Sequence, residues 1–108
     1  MHPPLFHCFL HAADGVATVK FAGELDLSTV DEAEHTLRDA LAAGSRRIVI
    51  DLRDLDFMDS TGITLLVRWD LGARNDGYSL AMIPGGEHIQ RLLSLTGLDR
   101  HFTFQEPG

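Results

Sequence analysis

The residues that could do chemistry are concentrated in one acidic segment near the middle of the chain. Four carboxylates fall within nine residues, at Asp51, Asp54, Asp56 and Asp59, and Ser60 follows the last of them. Clustered carboxylates suggest a magnesium site or a phosphoaspartate, whereas a serine could be a hydrolase nucleophile. These two enzyme hypotheses are the first to test against the rest of the sequence.

Neither enzyme hypothesis is supported by the surrounding residues. A phosphoaspartate site of the response-regulator type also needs an acidic pair after the first strand and a lysine after a late strand, and neither is evident. Ser60 lacks the first glycine of the Gly-x-Ser-x-Gly nucleophile turn, and no sequence argument brings a histidine to it. Turn formation and helix capping account for most of the aspartates. We therefore predict no catalytic residues, no cofactor and no enzyme activity.

A buried strand and a helix should hold this segment in place. Ile48 to Leu52 is an apolar, β-branched run that suits a central strand, and an aspartate-rich turn is predicted to follow it. A helix then begins with Asp59, Ser60 or Thr61 as its N-cap, because their short side chains can accept hydrogen bonds from the first free N–H groups. The Ser60 hydroxyl should then be exposed at the carboxyl end of the strand, where open α/β sheets usually carry functional loops.

The other segments predict an α/β fold with a mixed sheet, in which an antiparallel hairpin precedes parallel strands joined by right-handed crossovers. The predicted strands are Leu5–His11, Val16–Ala22, Ile48–Leu52 and Ser79–Ile83, with a last strand or tail contact at Phe102–Phe104. The predicted helices run from Ser28 or Thr29 to Gly44, from Ser60 to about Asn75, and from Glu87 to Thr96. Thr29 and Glu32 match a capping box. The loops that contain Asp26 and Ser60 leave the same end of the sheet and should lie close together.

The helix after Ser60 has two apolar faces. Its predicted core stripe consists of Ile63, Leu66, Val67 and Leu71. Leu65 and Trp69, four residues apart, fall on a neighbouring face. This pair either packs against an adjacent helix or forms an exposed apolar contact for a partner.

Composition indicates a single domain, residues 1–108, with a protein or small-molecule partner. The length suits one domain, and no apolar run approaches the roughly 20 residues of a membrane helix. A net charge of −7 disfavours nucleic acid and anionic membranes as partners, and the histidines show no metal-binding spacing. Met1 to Pro4 does not resemble a signal peptide, so a cytoplasmic location is expected. Cys8 should be a buried, inert thiol.

Three segments resemble the STAS domain family, specifically its stand-alone bacterial anti-sigma factor antagonists. They are Gly23-Glu24-Leu25-Asp26, Ile48 to Asp59 leading into Ser60-Thr61-Gly62, and Thr96 to Phe102. The middle segment is the most specific, because family members carry an Asp-Ser-Ser/Thr-Gly turn whose serine is phosphorylated by a partner kinase. The resemblance implies that Ser60 is the phosphoacceptor, with Thr61 as the alternative. Members often continue Gly-Leu-Gly where this chain has Gly62-Ile63-Thr64, a difference that bears on the partner's identity rather than on the fold.

The resemblance also implies partner switching. The unmodified protein would bind an anti-sigma factor that is itself a serine kinase, so that a sigma factor is released. Phosphorylation would end this binding, and a PP2C-type phosphatase would restore it. A phosphate adds roughly −1.5 to −2 charges at pH 7, and on Ser60 it would stand beside Asp59 and close to Asp56. The N–H groups at the helix start would soften this repulsion and hold the phosphate without refolding the domain.

The expected partner surface surrounds the Ser60 turn. Its residues lie at the carboxyl end of the sheet or along the following helix, and they are Asp26, Asp56, Asp59, Ser60, Thr61, Gly62, Leu65 and Trp69. Leu65 and Trp69 are included as apolar anchors. Two other functions stay open. One is a STAS-like scaffold role, or a part in a lipid-transport or stress-signalling assembly, without phosphorylation; the other is binding or hydrolysis of a nucleotide at the strand-end loops.

Overall fold

The fold was obtained as a computed structural model that describes residues 5–107. Met1 to Pro4, where the sequence shows no signal-peptide pattern, and Gly108 lie outside the described residues. The strands are β1 (Phe6–Ala13), β2 (Val16–Leu25), β3 (Arg47–Met58) and β4 (Ser79–Ile83). The helices are α1 (Val30–Ala42), α2 (Ser60–Asp76), α3 (Glu87–Leu95) and a short 3-10 turn at Leu98–Arg100. The predicted order of elements is confirmed.

The strands form one mixed sheet in the order β1-β2-β3-β4. β1 and β2 are antiparallel and are joined by a two-residue turn in which Asp14 and Gly15 both have positive φ angles, 55° and 79°. This turn matches the right-handed twist of the two strands, and it explains the Asp-Gly pair in the sequence. β2 with β3 and β3 with β4 are parallel pairs, so the predicted mixed α/β sheet is confirmed.

All three helices pack on one face of the sheet. Alternate strand residues, such as Val19 and Ile50, share one core with Leu37 of α1, Leu66 of α2 and Ile89 of α3. The other sheet face carries the intervening residues, including Thr18, Lys20 and Asp51. Cys8 lies on the helix face, where burial raises the pKa of its thiol to about 12. A thiol with this pKa stays protonated and unreactive near neutral pH.

β3 is longer than the sequence predicted. The expected turn after Leu52 is wrong, because the strand continues to Met58 through two register shifts against β2. Lys20 pairs with Asp51, whereas Ala22 pairs with Asp54 and Glu24 with Phe57, so β3 contains two extra residues. Such bulges break the alternation of inward and outward side chains that identifies a strand in a sequence. Asp54 consequently faces the same side as Lys20, and their charged groups lie 2.6 Å apart.

Asp51 is a buried carboxylate that depends on one arginine. It is only 3% exposed, and its oxygens accept hydrogen bonds from the Arg53 backbone N–H at 3.0 Å and from Arg53 Nη2 at 2.8 Å. The Arg53 side chain is the main reason that the pKa of Asp51 is lowered from its ordinary value. Asp51 should therefore contribute stability above the pKa that it has in the unfolded chain, and this contribution should be lost as the pH falls through its lower folded pKa.

We expect Asp51→Asn to reduce the free energy of unfolding at pH 7 by about 1–3 kcal/mol, because charge-assisted hydrogen bonds to a buried group are lost. The difference from wild type should shrink below about pH 4, where the unfolded carboxylate takes up a proton. Urea unfolding of wild type and Asp51→Asn at pH 7 and at pH 3 measures this difference in the free energy of unfolding. The exposed Asp54→Asn is the matched control and should cost less than about 1 kcal/mol. An equal loss of unfolding free energy in Asp51→Asn at both pH values would contradict a stabilising role for the Asp51 charge.

Two faces of α2 are buried. Leu65 is fully buried and Trp69 is 6% exposed, because α2 packs against α1 as well as against the sheet. The Trp69 ring lies 5.9 Å from the Tyr78 ring, and Tyr78 donates a hydrogen bond to the Trp69 carbonyl at 3.0 Å. The expectation that Leu65 and Trp69 are exposed partner anchors is wrong, and the alternative of helix packing is confirmed. Leu71, predicted as core, is exposed instead.

The chain after α3 returns to the sheet edge. Gly97 follows the C-cap of α3 with a φ of 77°, as expected for a helix stop. Phe104 forms a parallel bridge with Met82, whose backbone N–H donates to Thr103 O at 2.8 Å. The predicted contact of the tail with the sheet is confirmed.

Candidate functional site

The junction between β3 and α2 is capped by an aspartate. Asp59 is the N-cap of α2, and its Oδ1 accepts hydrogen bonds from the N–H groups of Thr61 at 2.9 Å and Gly62 at 3.2 Å. These N–H groups have no partner inside the helix, so the carboxylate satisfies donors that would otherwise need water. The predicted N-cap is confirmed and is assigned to Asp59.

Ser60 is the first residue of α2, and its side chain is exposed. Its carbonyl accepts a hydrogen bond from Thr64 Oγ1 at 2.9 Å, so the backbone at the helix start is fixed while the hydroxyl faces outward. Thr61 is half-buried. A partner therefore reaches the Ser60 hydroxyl more readily than that of Thr61.

The loops after β2 and β3 meet, as predicted. The Asp59 N–H donates to the Leu25 carbonyl at 3.2 Å, and Leu25 is paired with Met58 in the sheet. Gly62 sits between them: a Cβ atom on this residue would lie 2.6 Å from Met58 Cγ and 2.9 Å from Leu25 Cγ. Gly62 is buried, so its expected role as a partner contact is wrong. It instead allows α2 to start close to the strand ends.

The loop between β2 and α1 is organised by Asp26 and Thr29. Asp26 Oδ1 accepts from the Ser28 backbone N–H at 2.9 Å and from Ser28 Oγ at 2.7 Å. Thr29 Oγ1 accepts from the Asp26 N–H at 3.0 Å and donates to the Glu24 carbonyl at 2.8 Å. Thr29 is the N-cap residue of α1, but its side chain makes no capping bond. The predicted capping box with Glu32 is therefore wrong, because the loop uses the hydroxyl.

Two exposed apolar residues near this end of the sheet were missed by the sequence analysis. Leu27 is 76% exposed in the loop between Asp26 and Ser28, and Phe57 is 42% exposed at the end of β3. Phe57 is paired with Glu24 and lies on the sheet face away from the helices. The exposure of Leu27 could have been predicted from the sequence, because this apolar residue lies in a polar loop between Asp26 and Ser28. Asp56 is exposed beside Phe57, as expected.

The polar side chains of the Ser60 turn are hydroxyls and a carboxylate, which can form hydrogen bonds and ion pairs. Among residues 5–107, no group of three histidine, cysteine or acidic side chains is arranged to hold a metal ion. In the same part of the chain, no helix has the length and apolar character needed to cross a membrane. A cavity of about 350 Å³ lies elsewhere, lined by Arg53, Ile83, Phe104 and their neighbours. The Ser60 turn thus offers an exposed hydroxyl at a helix N-terminus beside the Asp59 cap, and Asp56 is exposed four residues earlier, near the end of β3.

Comparisons with known proteins give a consistent result. A family model described as "Mlab, STAS domain" matches residues 8–105. The anti-sigma-B factor antagonist of Staphylococcus aureus (strain NCTC 8325 / PS 47) is 36% identical over 80 residues, which are 74% of each chain. An anti-sigma factor antagonist from Mycobacterium paratuberculosis has a similar structure, with a TM-score of 0.83, 26% identity, and coverage of 100% of this chain and 92% of that one.

The fold is also that of SpoIIAA, the Bacillus cell fate determinant, in its phosphorylated form. The TM-score is 0.73 at 16% identity, and the match covers 94% of this chain and 92% of that chain. The family model spans nearly all the described residues, and the S. aureus relative is matched over most of its length. The chain belongs to the STAS domain family.

Proposed function

We propose that this protein is an anti-sigma factor antagonist that works by partner switching. In this mechanism the unphosphorylated form binds an anti-sigma factor serine kinase and thereby releases a sigma factor. Phosphorylation of Ser60 ends the binding, and a PP2C-type phosphatase restores it. The observation that carries the proposal is the exposed Ser60 hydroxyl at the first residue of α2, next to the Asp59 cap. The names of the S. aureus and M. paratuberculosis relatives support the same role.

The geometry of the turn suits a reversible charge switch. The start of α2 is held by the Asp59 carboxylate and by the bond from the Asp59 N–H to the Leu25 carbonyl, so a phosphate on the Ser60 hydroxyl need not break either contact. The positive end of the helix dipole would favour the phosphate. Asp56 and Asp59 would add to its negative charge. The expected result is a change in the charge of the surface with little change in the fold.

The acidic surface also defines the kind of partner. Asp59, the N-cap of α2, and the exposed Asp56 near the end of β3 precede Ser60 in the chain, which has a net charge of −7. A partner that binds here should present basic residues, which would also speed its association at low salt. A kinase could bind this substrate through ion pairs between basic residues of its active site and the carboxylates of this surface. The Ser60 hydroxyl would then point to the phosphate of the bound nucleotide.

Phosphate transfer to Ser60 is the direct test. After incubation with ATP and the kinase-type anti-sigma factors of the source organism, each purified separately, phosphopeptide mapping should place a single phosphate on Ser60. Ser60→Ala should abolish the modification. Thr61→Ala, in the adjacent half-buried position, should leave it intact and is the matched control. Phosphate found on Thr61, Ser45 or Ser79 in place of Ser60 would refute the site.

A further inference from the structure

We infer that Leu27 is the apolar residue by which the anti-sigma factor partner recognises this surface, and that Asp26 is a positioning residue for Leu27. The inference rests on the proposed function, because it assigns the partner contacts of the same site. It replaces Leu65 and Trp69, whose burial removes them as anchors.

Exposure alone would not support this assignment, since single exposed apolar residues are common on protein surfaces. Leu27 differs because the loop around it is fixed on both sides. The Asp26 carboxylate accepts two hydrogen bonds from Ser28, and the Thr29 hydroxyl links the Asp26 N–H to the Glu24 carbonyl. The Asp26 carbonyl also accepts from the Val30 N–H at 2.9 Å. A side chain displayed from a preformed loop binds with a smaller loss of conformational entropy than one on a flexible loop.

The position of the Leu27 loop indicates which protein would contact Leu27. The carbonyl of Leu25, two residues before Leu27, accepts the hydrogen bond from the Asp59 N–H, so the loop that carries Leu27 and the turn that carries Ser60 adjoin at the same end of the sheet. We therefore assign the Leu27 loop to the area that is covered by a protein whose active site reaches Ser60. The acidic residues of this surface then fit a partner with an apolar depression bordered by lysine or arginine.

The Asp26 carboxylate is already used inside the loop. Its Oδ1 receives both Ser28 donors, and these contacts, first of all the one from the Ser28 hydroxyl, lower its pKa. An asparagine at this position retains an oxygen that can accept the same bonds, whereas an alanine does not. The two substitutions therefore separate the role of Asp26 in building the loop from a role for its charge at the partner.

The first experiment compares two exposed leucines. The probe is the purified kinase-type anti-sigma factor of the source organism that binds the wild-type protein. Leu27→Ala should weaken binding by about 10-fold or more, as truncation of an apolar anchor does, and should raise the KM for Ser60 phosphorylation while leaving kcat nearly unchanged. Leu95→Ala, at a residue 80% exposed at the end of α3, should bind like wild type. Equal affinities of Leu27→Ala and wild type would overturn the inference.

The second experiment tests the positioning role. Asp26→Asn should bind within about 3-fold of wild type, and Asp26→Ala should lose about as much affinity as Leu27→Ala. Circular dichroism confirms that each variant is folded. Equal losses for Asp26→Asn and Asp26→Ala would show that the charge itself contacts the partner and would overturn the positioning role. If wild type binds no kinase-type anti-sigma factor, the proposed function fails together with this inference; if wild type binds and Leu27→Ala binds equally, only the inference fails.

Discussion

Phosphorylated protein is expected to bind the anti-sigma factor partner at least roughly 30-fold more weakly than the unmodified protein, which corresponds to about 2 kcal/mol. On the proposed function, a phosphate on Ser60 would bring roughly −1.5 to −2 charges to a surface where Asp59 is the adjacent residue and Asp56 lies four residues earlier in the chain. The phosphate would also add bulk at the start of α2, where the proposed partner binds. Isothermal titration of the two forms against the same partner measures the effect.

Two variants separate the charge from the loss of the hydroxyl. Ser60→Ala should keep wild-type binding and resist phosphorylation. Ser60→Asp should weaken binding only in part, because a single carboxylate has less charge and fewer acceptor oxygens than a phosphate. Unchanged circular dichroism should accompany both. Equal affinity of the truly phosphorylated and unmodified proteins would end the charge-switch proposal, and equal affinity of Ser60→Asp and wild type would weaken it.

Gly23→Ala should destabilise the fold much more than an alanine at a glycine whose Cβ position is open. Gly23 has a φ of 97°, and a Cβ atom here would lie 1.7 Å from the Leu5 carbonyl oxygen. The same oxygen accepts a hydrogen bond from the Glu24 N–H at 2.7 Å, so relief of the clash requires the first strand to move. We expect a loss of about 3 kcal/mol, of which about 1 kcal/mol comes from the backbone conformation and the rest from overpacking.

Gly44→Ala is the matched control for this prediction. Gly44 has a similar φ of 93°, but nothing lies within 4 Å of the Cβ that an alanine would add. It should therefore show only the conformational cost of about 1 kcal/mol. Urea unfolding of the two variants gives the difference. If Gly23→Ala loses no more unfolding free energy than Gly44→Ala, the first strand can move to relieve the clash without loss of stability.

Local patterns were sufficient to predict most of the elements. The Asp14-Gly15 turn, the β4 strand and the cap at Asp59 each depend on a few adjacent residues whose conformational preferences are strong. The parallel order of the later strands follows from the handedness of crossovers. The same rules predict that the loops of Asp26 and Ser60 lie at the same end of the sheet, as the structure shows.

The errors came from contacts between segments that are distant in sequence. The extension of β3 to Met58 depends on pairing with β2. The bulges of β3 remove the alternation of apolar and polar residues by which a strand is predicted from sequence. The burial of Trp69 depends on Tyr78 and on α1, where Glu34 of α1 also accepts a hydrogen bond from Arg68 of α2 at 2.9 Å. Thr29 satisfied a capping pattern, yet its hydroxyl is used by Glu24 and Asp26.

The two bulges of β3 also limit how the length of this strand can change during evolution. Five steps along β2, from Lys20 to Leu25, are matched by seven steps along β3, from Asp51 to Met58. The two insertions cancel in their effect on side-chain direction, which is why Leu25 and Met58 both face the core. Loss of one residue would turn Met58 outward and rotate the start of α2 away from the β2 loop, whereas loss of two would restore the original facing. Homologous chains with this geometry should therefore differ in length here by even numbers of residues.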